Sequence, residues 1–186
     1  MTLFFLPLPF FKAVFLLDSL YLRRYISFNR CQKVSFGVNM KFTGEYNVSI
    51  DLKGRISIPA SFRDELREVY ASDGLVVTRF KNGLVAYPPQ RWQEICDTVL
   101  AMPVGPQREA NLRNRIAPAK ECTFNAQGRI QLPQSLREHA GLEKECVVIG
   151  MFEKIEIWSQ QSHAAIAAES EALLDADAQG QAELGF

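Results

Sequence analysis

Two short turns contain the residue types in this chain that are best suited to binding a polyanion. The first reads Asp51-Leu52-Lys53-Gly54-Arg55 and the second reads Asn125-Ala126-Gln127-Gly128-Arg129. Glycine in a tight turn tolerates a positive φ and leaves backbone N–H groups exposed. The arginine that follows presents a planar fork of donors that matches two phosphate oxygens, or O6 and N7 of guanine. These turns are therefore candidate contacts to nucleic acid.

The other turn residues support the same interpretation. Asp51 stands four positions before its arginine, where it can orient the guanidinium or accept a hydrogen bond from cytosine N4. Lys53 adds a positive charge that suits phosphate. The alternative is a purely structural ion pair between Asp51 and Arg55 across a hairpin. The candidate DNA-binding residues are Asp51, Lys53, Gly54, Arg55, Asn125, Gln127, Gly128 and Arg129.

Catalytic and metal-binding sites find little support in the sequence. His139 and His163 are the only histidines, and neither has the spacing of a metal ligand. The four cysteines form no CxxC pair, so we expect isolated reduced thiols. The chain contains neither a nucleophile elbow nor a glycine-rich phosphate loop. We therefore expect a protein that is not an enzyme and has no metal or cofactor.

An internal repeat places the two turns at equivalent positions. Residues 51–66 (DLKGRISIPASFRDEL) align with residues 125–140 (NAQGRIQLPQSLREHA) at an offset of 74, which also matches Arg63 with Arg137. Further along, residues 75–80 and 84–87 align with residues 146–151 and 155–158 at an offset of 71. The chain is thus two variants of one structural unit.

Each unit predicts the same order of elements. Residues 46–50 and 55–58 alternate as strands do and flank the first turn, which predicts a hairpin. A short amphipathic helix over 61–69 follows Pro59. Two further strands flank Lys81-Asn82-Gly83, where Asn-Gly is typical of a hairpin turn. Residues 90–100 then predict a helix, with Trp92 on its apolar face.

The second unit repeats this order and ends in a helix that begins near Ser159. Trp158 precedes it and is expected in the core. Between the units, residues 102–119 predict a helical connector with Arg108, Arg113 and Arg115, whose expected environment is solvent. The chain has no net charge, and residues 40–186 carry 16 cations against 20 anions. A polyanion would therefore have to bind a local basic patch.

The first 39 residues differ from the rest. Residues 3–17 are strongly apolar but are interrupted by Pro7, Pro9 and Lys12. The run is short for a transmembrane helix, and it lacks the basic start and small-residue cleavage site of a secretory signal. We expect instead that the true start is Met40, and we exclude residues 1–39 from the fold.

The doubled motif closely resembles the MraZ family of transcriptional regulators, from Met40 to about Ser162. The resemblance rests on D-x-K-G-R with Ile-x-Ile-Pro, on the second G-R-Ile-x-Leu-Pro, and on His139-Ala140-Gly141-Leu142. It implies a mainly β, α+β fold of two tandem AbrB-like swapped-hairpin modules that form a pseudo-symmetric double-psi-like barrel. The family's DNA-contacting element is D-x-x-x-R, so Asn125 in place of Asp puts equal roles for the two modules in doubt.

The resemblance also implies the partners. It predicts a cytoplasmic, nucleoid-associated homo-oligomeric ring that binds direct repeats in double-stranded DNA, upstream of the division and cell-wall gene cluster, with no membrane partner. The expected boundaries are 1–39 extension, 40–101 first module, 102–118 connector, 119–162 second module and 163–186 helical or flexible tail. Two alternatives remain: an antitoxin-like module whose acidic tail, 169–183, binds a partner protein, and a regulator tethered to the membrane by residues 1–39.

Overall fold

A computed structural model of the chain describes residues 42–185, so the expected extension over residues 1–39 lies outside the described residues. The described chain contains eight strands, which in order are β1 (Phe42–Ser49), β2 (Arg55–Ser57), β3 (Gly74–Phe80), β4 (Gly83–Tyr87), β5 (Lys120–Thr123), β6 (Arg129–Gln131), β7 (Glu145–Phe152) and β8 (Lys154–Ser159). Its helices are α1 (Ala60–Tyr70), α2 (Pro89–Ala101), α3 (Pro106–Asn111), α4 (Gln134–Ala140), α5 (Gln160–Ala176) and α6 (Ala178–Leu184). A π-helical turn, Leu112–Ile116, follows α3.

Prolines and small polar residues start the helices where the sequence predicts. Pro59, Pro88 and Pro133 precede α1, α2 and α4, because their fixed φ suits the entry to a helix. Ser159 caps α5 by accepting a hydrogen bond from the backbone N–H of Ser162. Helical structure then continues past Ala176 into α6, so the described part of the tail is helical.

Six strands form one antiparallel sheet in the order β1-β7-β8-β4-β3-β5. The other two strands, β2 and β6, pair in a separate two-stranded ribbon. By the sequence repeat, β1 is equivalent to β5, β3 to β7 and β4 to β8. When each strand is replaced by its equivalent, the order becomes β5-β3-β4-β8-β7-β1, which is the same order counted from the other edge of the sheet. The two modules are therefore related by an approximate twofold axis that passes through the β2–β6 ribbon.

The two modules exchange strands and do not fold side by side. β1 pairs with β7 from Phe42 opposite Phe152 to Ser49 opposite Glu145. The pairs β3–β5 and β4–β8 also join one module to the other. The local hairpin predicted from residues 46–50 and 55–58 is present only at its turn, where Ile50 bridges Ile56 and the N–H of Asp51 donates to the carbonyl of Arg55 at 3.0 Å. The rest of β1 pairs with β7 instead. The exchange agrees with the swapped-hairpin modules that the resemblance implies.

One hydrophobic core serves both modules. Phe42, Ile56 and Phe62 from the first module and Ile130 and Leu136 from the second are at most 1% exposed and belong to the same cluster. The mixed α+β class with mostly strands is confirmed. Strand pairing does not close the expected barrel, because β1 and β5 remain as edges of the six-stranded sheet and the β2–β6 ribbon is separate.

Of the four cysteines expected as isolated thiols, Cys96, Cys122 and Cys146 are free, and Cys31 lies outside the described residues. Burial raises the pKa of Cys122 to about 11 and that of Cys146 to about 11, so both stay protonated near neutral pH. Within residues 42–185, no helix is both long and apolar enough to cross a bilayer.

Candidate nucleic-acid interface

The two glycine turns have the same backbone geometry. Asp51 Oδ1 accepts hydrogen bonds from the backbone N–H groups of Lys53 and Arg55, both at 3.0 Å. Asn125 Oδ1 accepts the equivalent bonds from Gln127 at 2.9 Å and Arg129 at 3.0 Å. A carboxylate oxygen and an amide oxygen are both acceptors, so either residue can build the turn. The departure from Asp at position 125 therefore leaves the turn intact.

Each glycine turn is covered by an arginine of the other module. Gly54 and Gly128 have φ values of +74° and +70°, which favour glycine. A Cβ added to Gly54 would lie 2.7 Å from Nε of Arg137, and one added to Gly128 would lie 2.6 Å from Nε of Arg63. The absence of a side chain thus allows a guanidinium from helix α4 or α1 to lie directly on the turn.

Backbone hydrogen bonds also link each turn to the other module. The N–H of Leu132 donates to the carbonyl of Gly54 at 2.9 Å, and the N–H of Ile58 donates to the carbonyl of Gly128 at 3.2 Å. Arg63 and Arg137 in turn donate from Nε to the carbonyls of Ile58 and Leu132. Turn chemistry alone does not predict a role for Arg63 and Arg137 at the site, although their match at the repeat offset of 74 is a signal.

The β2–β6 ribbon has a buried face and an outer face. Ile56 and Ile130 lie opposite each other and are fully buried. Because side chains alternate along a strand, their neighbours Arg55 and Arg129 point to the outer face. In the antiparallel register Arg55 is opposite Gln131 and Arg129 is opposite Ser57, so the two arginines are diagonal neighbours. The ribbon thus brings together the arginines of both modules.

One carboxylate serves both arginines. Asp51 Oδ2 accepts from Nε and Nη2 of Arg55, both at 2.7 Å, and lies 3.5 Å from Nη1 of Arg129. Asn125 has no second oxygen to offer, and Arg129 donates instead to Oε1 of Gln127 at 3.3 Å. Arg129 is therefore held by longer contacts than Arg55.

The same contacts keep Asp51 ionised. Its pKa is lowered to about 2, first by the side-chain hydrogen bond from Arg55 and then by the backbone N–H of Arg55, with a smaller contribution from that of Lys53. The outer face consequently carries Arg55, Arg129 and the exposed Lys53 against a single carboxylate. This surface therefore carries more positive than negative charge, although residues 40–186 as a whole carry more acidic than basic side chains.

The sequence offers two interpretations of the Asp51–Arg55 pair, a structural ion pair and a DNA contact, and the DNA contact stays a prediction. The ion pair exists, but the side chains of Arg55 and Arg129 each remain 30% exposed. Each guanidinium is thus partly accessible, although the Nε of Arg129 is buried without a hydrogen-bond partner in the described chain. Of the predicted residues, Asp51, Arg55, Gln127 and Arg129 form one contact cluster, while Gly54 and Gly128 are buried beneath the cross-module arginines.

The connector departs from expectation at two residues. Arg108 is only partly exposed, and its Nε is buried without a hydrogen-bond partner in the described chain. Arg113 is 72% exposed and lies 3.6 Å from Glu109, in agreement with a solvated helix face. Arg115 is different: its Nη1 donates to the carbonyl of Arg79 at 2.6 Å and its guanidinium lies over the ring of Phe80. The expectation of solvent is wrong for Arg115 because the π-helical turn packs against β3. The part of the chain from 42 to 185 contains no group of three His, Cys, Asp or Glu side chains able to hold a metal.

A comparison with known protein families matches this chain twice. The family model described as "MraZ protein, putative antitoxin-like" covers residues 41–114 and again residues 116–183. The two matches correspond to the two halves of the twofold arrangement.

Individual relatives agree with the family match. A protein of Syntrophotalea carbinolica is 45% identical over 150 residues, covering 79% of this chain and 100% of the relative. One of Lachnoclostridium phytofermentans is 42% identical over 121 residues, covering 64% of this chain and 82% of the relative. One of Geobacter sulfurreducens is 33% identical over 157 residues, covering 78% and 99%. All three are named transcriptional regulator MraZ, not enzymes. The chain belongs to the MraZ family.

Proposed function

We propose that this chain is a sequence-specific transcriptional regulator that binds double-stranded DNA through the outer face of the β2–β6 ribbon. The observation that carries the proposal is the pair of exposed guanidiniums, Arg55 and Arg129, held beside one shared carboxylate. The name of the relatives, transcriptional regulator, supports the same role.

The shape of the ribbon suits a DNA groove. A two-stranded antiparallel ribbon fits the major groove, where arginine recognises O6 and N7 of guanine through paired donors. Arg55 uses Nε and Nη2 on Asp51, so it has fewer donors left for DNA. Arg129 is held only by contacts of 3.3 and 3.5 Å. We therefore assign base recognition mainly to Arg129, and an oriented supporting contact to Arg55 and Lys53.

Self-association would compensate for the small size of each contact surface. One chain offers only a few phosphate and base contacts, which is too few for tight binding at cellular salt. A ring-shaped homo-oligomer on short direct repeats gains affinity because the second and later contacts are intramolecular. By family resemblance, we place these repeats upstream of the division and cell-wall gene cluster, and the protein in the cytoplasm at the nucleoid.

Substitution of the two arginines tests the proposal. We expect Arg129→Ala and Arg55→Ala each to weaken binding to the DNA just upstream of the protein's own coding region by roughly tenfold or more, since a good bidentate contact contributes about 1–3 kcal/mol. A gel shift at fixed salt measures this, with size-exclusion chromatography to check the oligomer. Arg113→Ala, which removes an exposed cation outside the ribbon, is the control.

Two outcomes contradict the proposal. If both ribbon variants bind the upstream DNA as tightly as the Arg113→Ala control at the same salt, the β2–β6 ribbon does not contact DNA. Wild-type protein that shows no preference for upstream DNA over a scrambled duplex would contradict sequence-specific binding.

A second candidate function is an antitoxin-like interaction. The description of the matching family includes that term, and the acidic residues Glu169, Glu171 and Asp175 are exposed along α5. This candidate requires a separately encoded partner protein on α5. Co-purification of one defined partner that is lost on replacing the three acids by glutamine would support it, and DNA binding unaffected by those changes would separate it from the first proposal.

A further inference from the structure

A cationic surface pocket lies away from the ribbon, between the end of β3 and the connector. It has a volume of about 420 Å³, and its eight lining residues include Arg79, Lys81 and Arg115 but no aspartate or glutamate. Such an excess of positive charge is unusual for this chain, since residues 40–186 carry 20 acidic side chains against 16 basic ones. None of its lining residues belongs to the β2–β6 ribbon.

The three cations of the pocket have no carboxylate partner among the described residues. All nine ion pairs found between residues 42 and 185 involve other lysines, arginines and histidines. The Nε of Arg79 is buried and makes no hydrogen bond within the described chain. Like charges gathered in one pocket repel each other, and a bound anion would relieve that repulsion.

The pocket is held in shape by contacts from three separate elements. Arg115 is fixed by its hydrogen bond to the carbonyl of Arg79 and by Phe80 beneath its guanidinium. Thr78 Oγ1 donates to the carbonyl of Arg115 at 2.5 Å, which ties the π-helical turn to β3. On the other side, Nε2 of His139 in α4 contacts the carbonyl of Lys81 at 2.8 Å. The guanidinium of Arg115 is therefore preorganised, so less conformational entropy is lost at that residue on binding.

The other lining side chains indicate what kind of anion the pocket suits. Gln107, Asn111 and Asn114 are amides, which can donate to and accept from a polar ligand. Lysine and the forked guanidinium of arginine are the usual partners of phosphate. The volume lies in the range of small-molecule sites and exceeds what one phosphate ion needs.

We propose that this pocket binds a phosphate group through Arg79, Lys81 and Arg115. The phosphate can belong to a small phosphorylated ligand or to the backbone of bound DNA, because both present the same oxyanion. In the first case the pocket is an effector site; in the second it extends the DNA-binding surface beyond the β2–β6 ribbon.

Calorimetric titration of the full chain with inorganic pyrophosphate tests the pocket without DNA. We expect the double variant Arg79→Gln/Lys81→Gln to bind pyrophosphate at least about tenfold more weakly than wild type, since it lacks two of the three cations. Arg113→Gln, which removes an exposed cation of the same connector, should bind as wild type does. Circular dichroism checks folding, and Lys81→Gln alone serves if the double variant is unfolded, because Lys81 is exposed in a loop.

The source of the phosphate is decided in a second arm, with the upstream DNA duplex. If the double variant binds DNA more weakly and pyrophosphate competes with DNA for the wild type, the pocket takes a backbone phosphate. If DNA affinity is unchanged while pyrophosphate binding is lost, it takes a free phosphorylated ligand. Equal pyrophosphate binding by wild type and the double variant, or none by wild type, overturns the proposal. The pyrophosphate result stands whether or not the chain binds DNA.

Discussion

At the residue scale, the side chain of Asp51 has two functions. Its Oδ1 closes the glycine turn through two backbone N–H groups, and its Oδ2 holds the guanidinium of Arg55. Asn125 performs only the first of these functions. The two modules of this chain thus contain the same turn with a different charge. Substitutions at Asp51 can therefore distinguish the effect of its turn-forming hydrogen bonds from the effect of its negative charge.

Asp51→Asn should therefore differ from Asp51→Ala. The asparagine keeps an acceptor for both N–H groups, as Asn125 does, so we expect a small fall in thermal midpoint. The alanine leaves both N–H groups without that acceptor and should lower the midpoint further. Circular dichroism melts of the two variants at neutral pH measure the difference. Equal midpoints for both would mean that Oδ1 does not support the turn.

The pH dependence of the Asp51 contribution follows from its depressed pKa. A carboxyl whose pKa falls from 3.8 to about 2 on folding stabilises the folded state above its unfolded pKa, and this stabilisation is lost as pH falls toward 2. The difference in urea midpoint between wild type and Asp51→Asn should accordingly be constant from about pH 5 to 8 and shrink below about pH 4. A difference that grows on acidification would contradict the assignment.

At the same scale, the sequence predicted the two turns better than the contacts between them. The glycine and arginine positions followed from turn chemistry and from the repeat. The sharing of Asp51 by Arg55 and Arg129 did not, because the two arginines are 74 positions apart and meet through cross-module pairing. Arg63 and Arg137 were missed as site residues for the same reason: each lies on a turn of the other module.

At the element scale, the hairpin of β3 and β4 was predicted correctly, but its loop was predicted one residue too long. The Asn-Gly pair indicated a hairpin, and β3 does pair with β4. Phe80 is opposite Gly83, however, so the two loop residues are Lys81 and Asn82, and Gly83 belongs to β4. The indole ring of Trp158 explains why position 83 is a glycine, since an added Cβ would lie 2.5 Å from Cε3 of that ring. Local sequence cannot reveal a contact with a strand of the other module.

Gly83→Ala should consequently destabilise the fold by forcing Trp158 out of place. Trp158 is 1% exposed, so it has little room to move, and overpacking of a core typically costs about 1–3 kcal/mol. Gly105→Ala is the matched control, because nothing lies within 4 Å of a Cβ at that position. Urea unfolding followed by circular dichroism gives both values. A Gly83→Ala protein as stable as the control would show that the ring does not press on β4.

At the scale of the whole molecule, the two modules form one cooperative structure. Strand pairs β1–β7, β3–β5, β4–β8 and β2–β6 all join different modules. Arg91 of α2 also forms an ion pair with Glu153 of the other module, at 2.9 Å. The repeat predicted two equivalent units, yet periodicity could not show that they exchange strands, because an alternating pattern suits a strand whatever its partner. Neither module has a complete sheet of its own.

Unfolding should therefore be a single transition seen equally from both modules. The chain has two tryptophans, Trp92 in α2 of the first module and Trp158 in β8 of the second. In Trp158→Phe the fluorescence reports on the first module, and in Trp92→Phe it reports on the second. We expect the fluorescence and circular dichroism midpoints in urea to coincide within each variant at one protein concentration, even though the variants differ in stability. If Trp92 fluorescence changes well before the circular dichroism signal, the modules unfold separately, and the shared core does not hold the two arginines of the ribbon together.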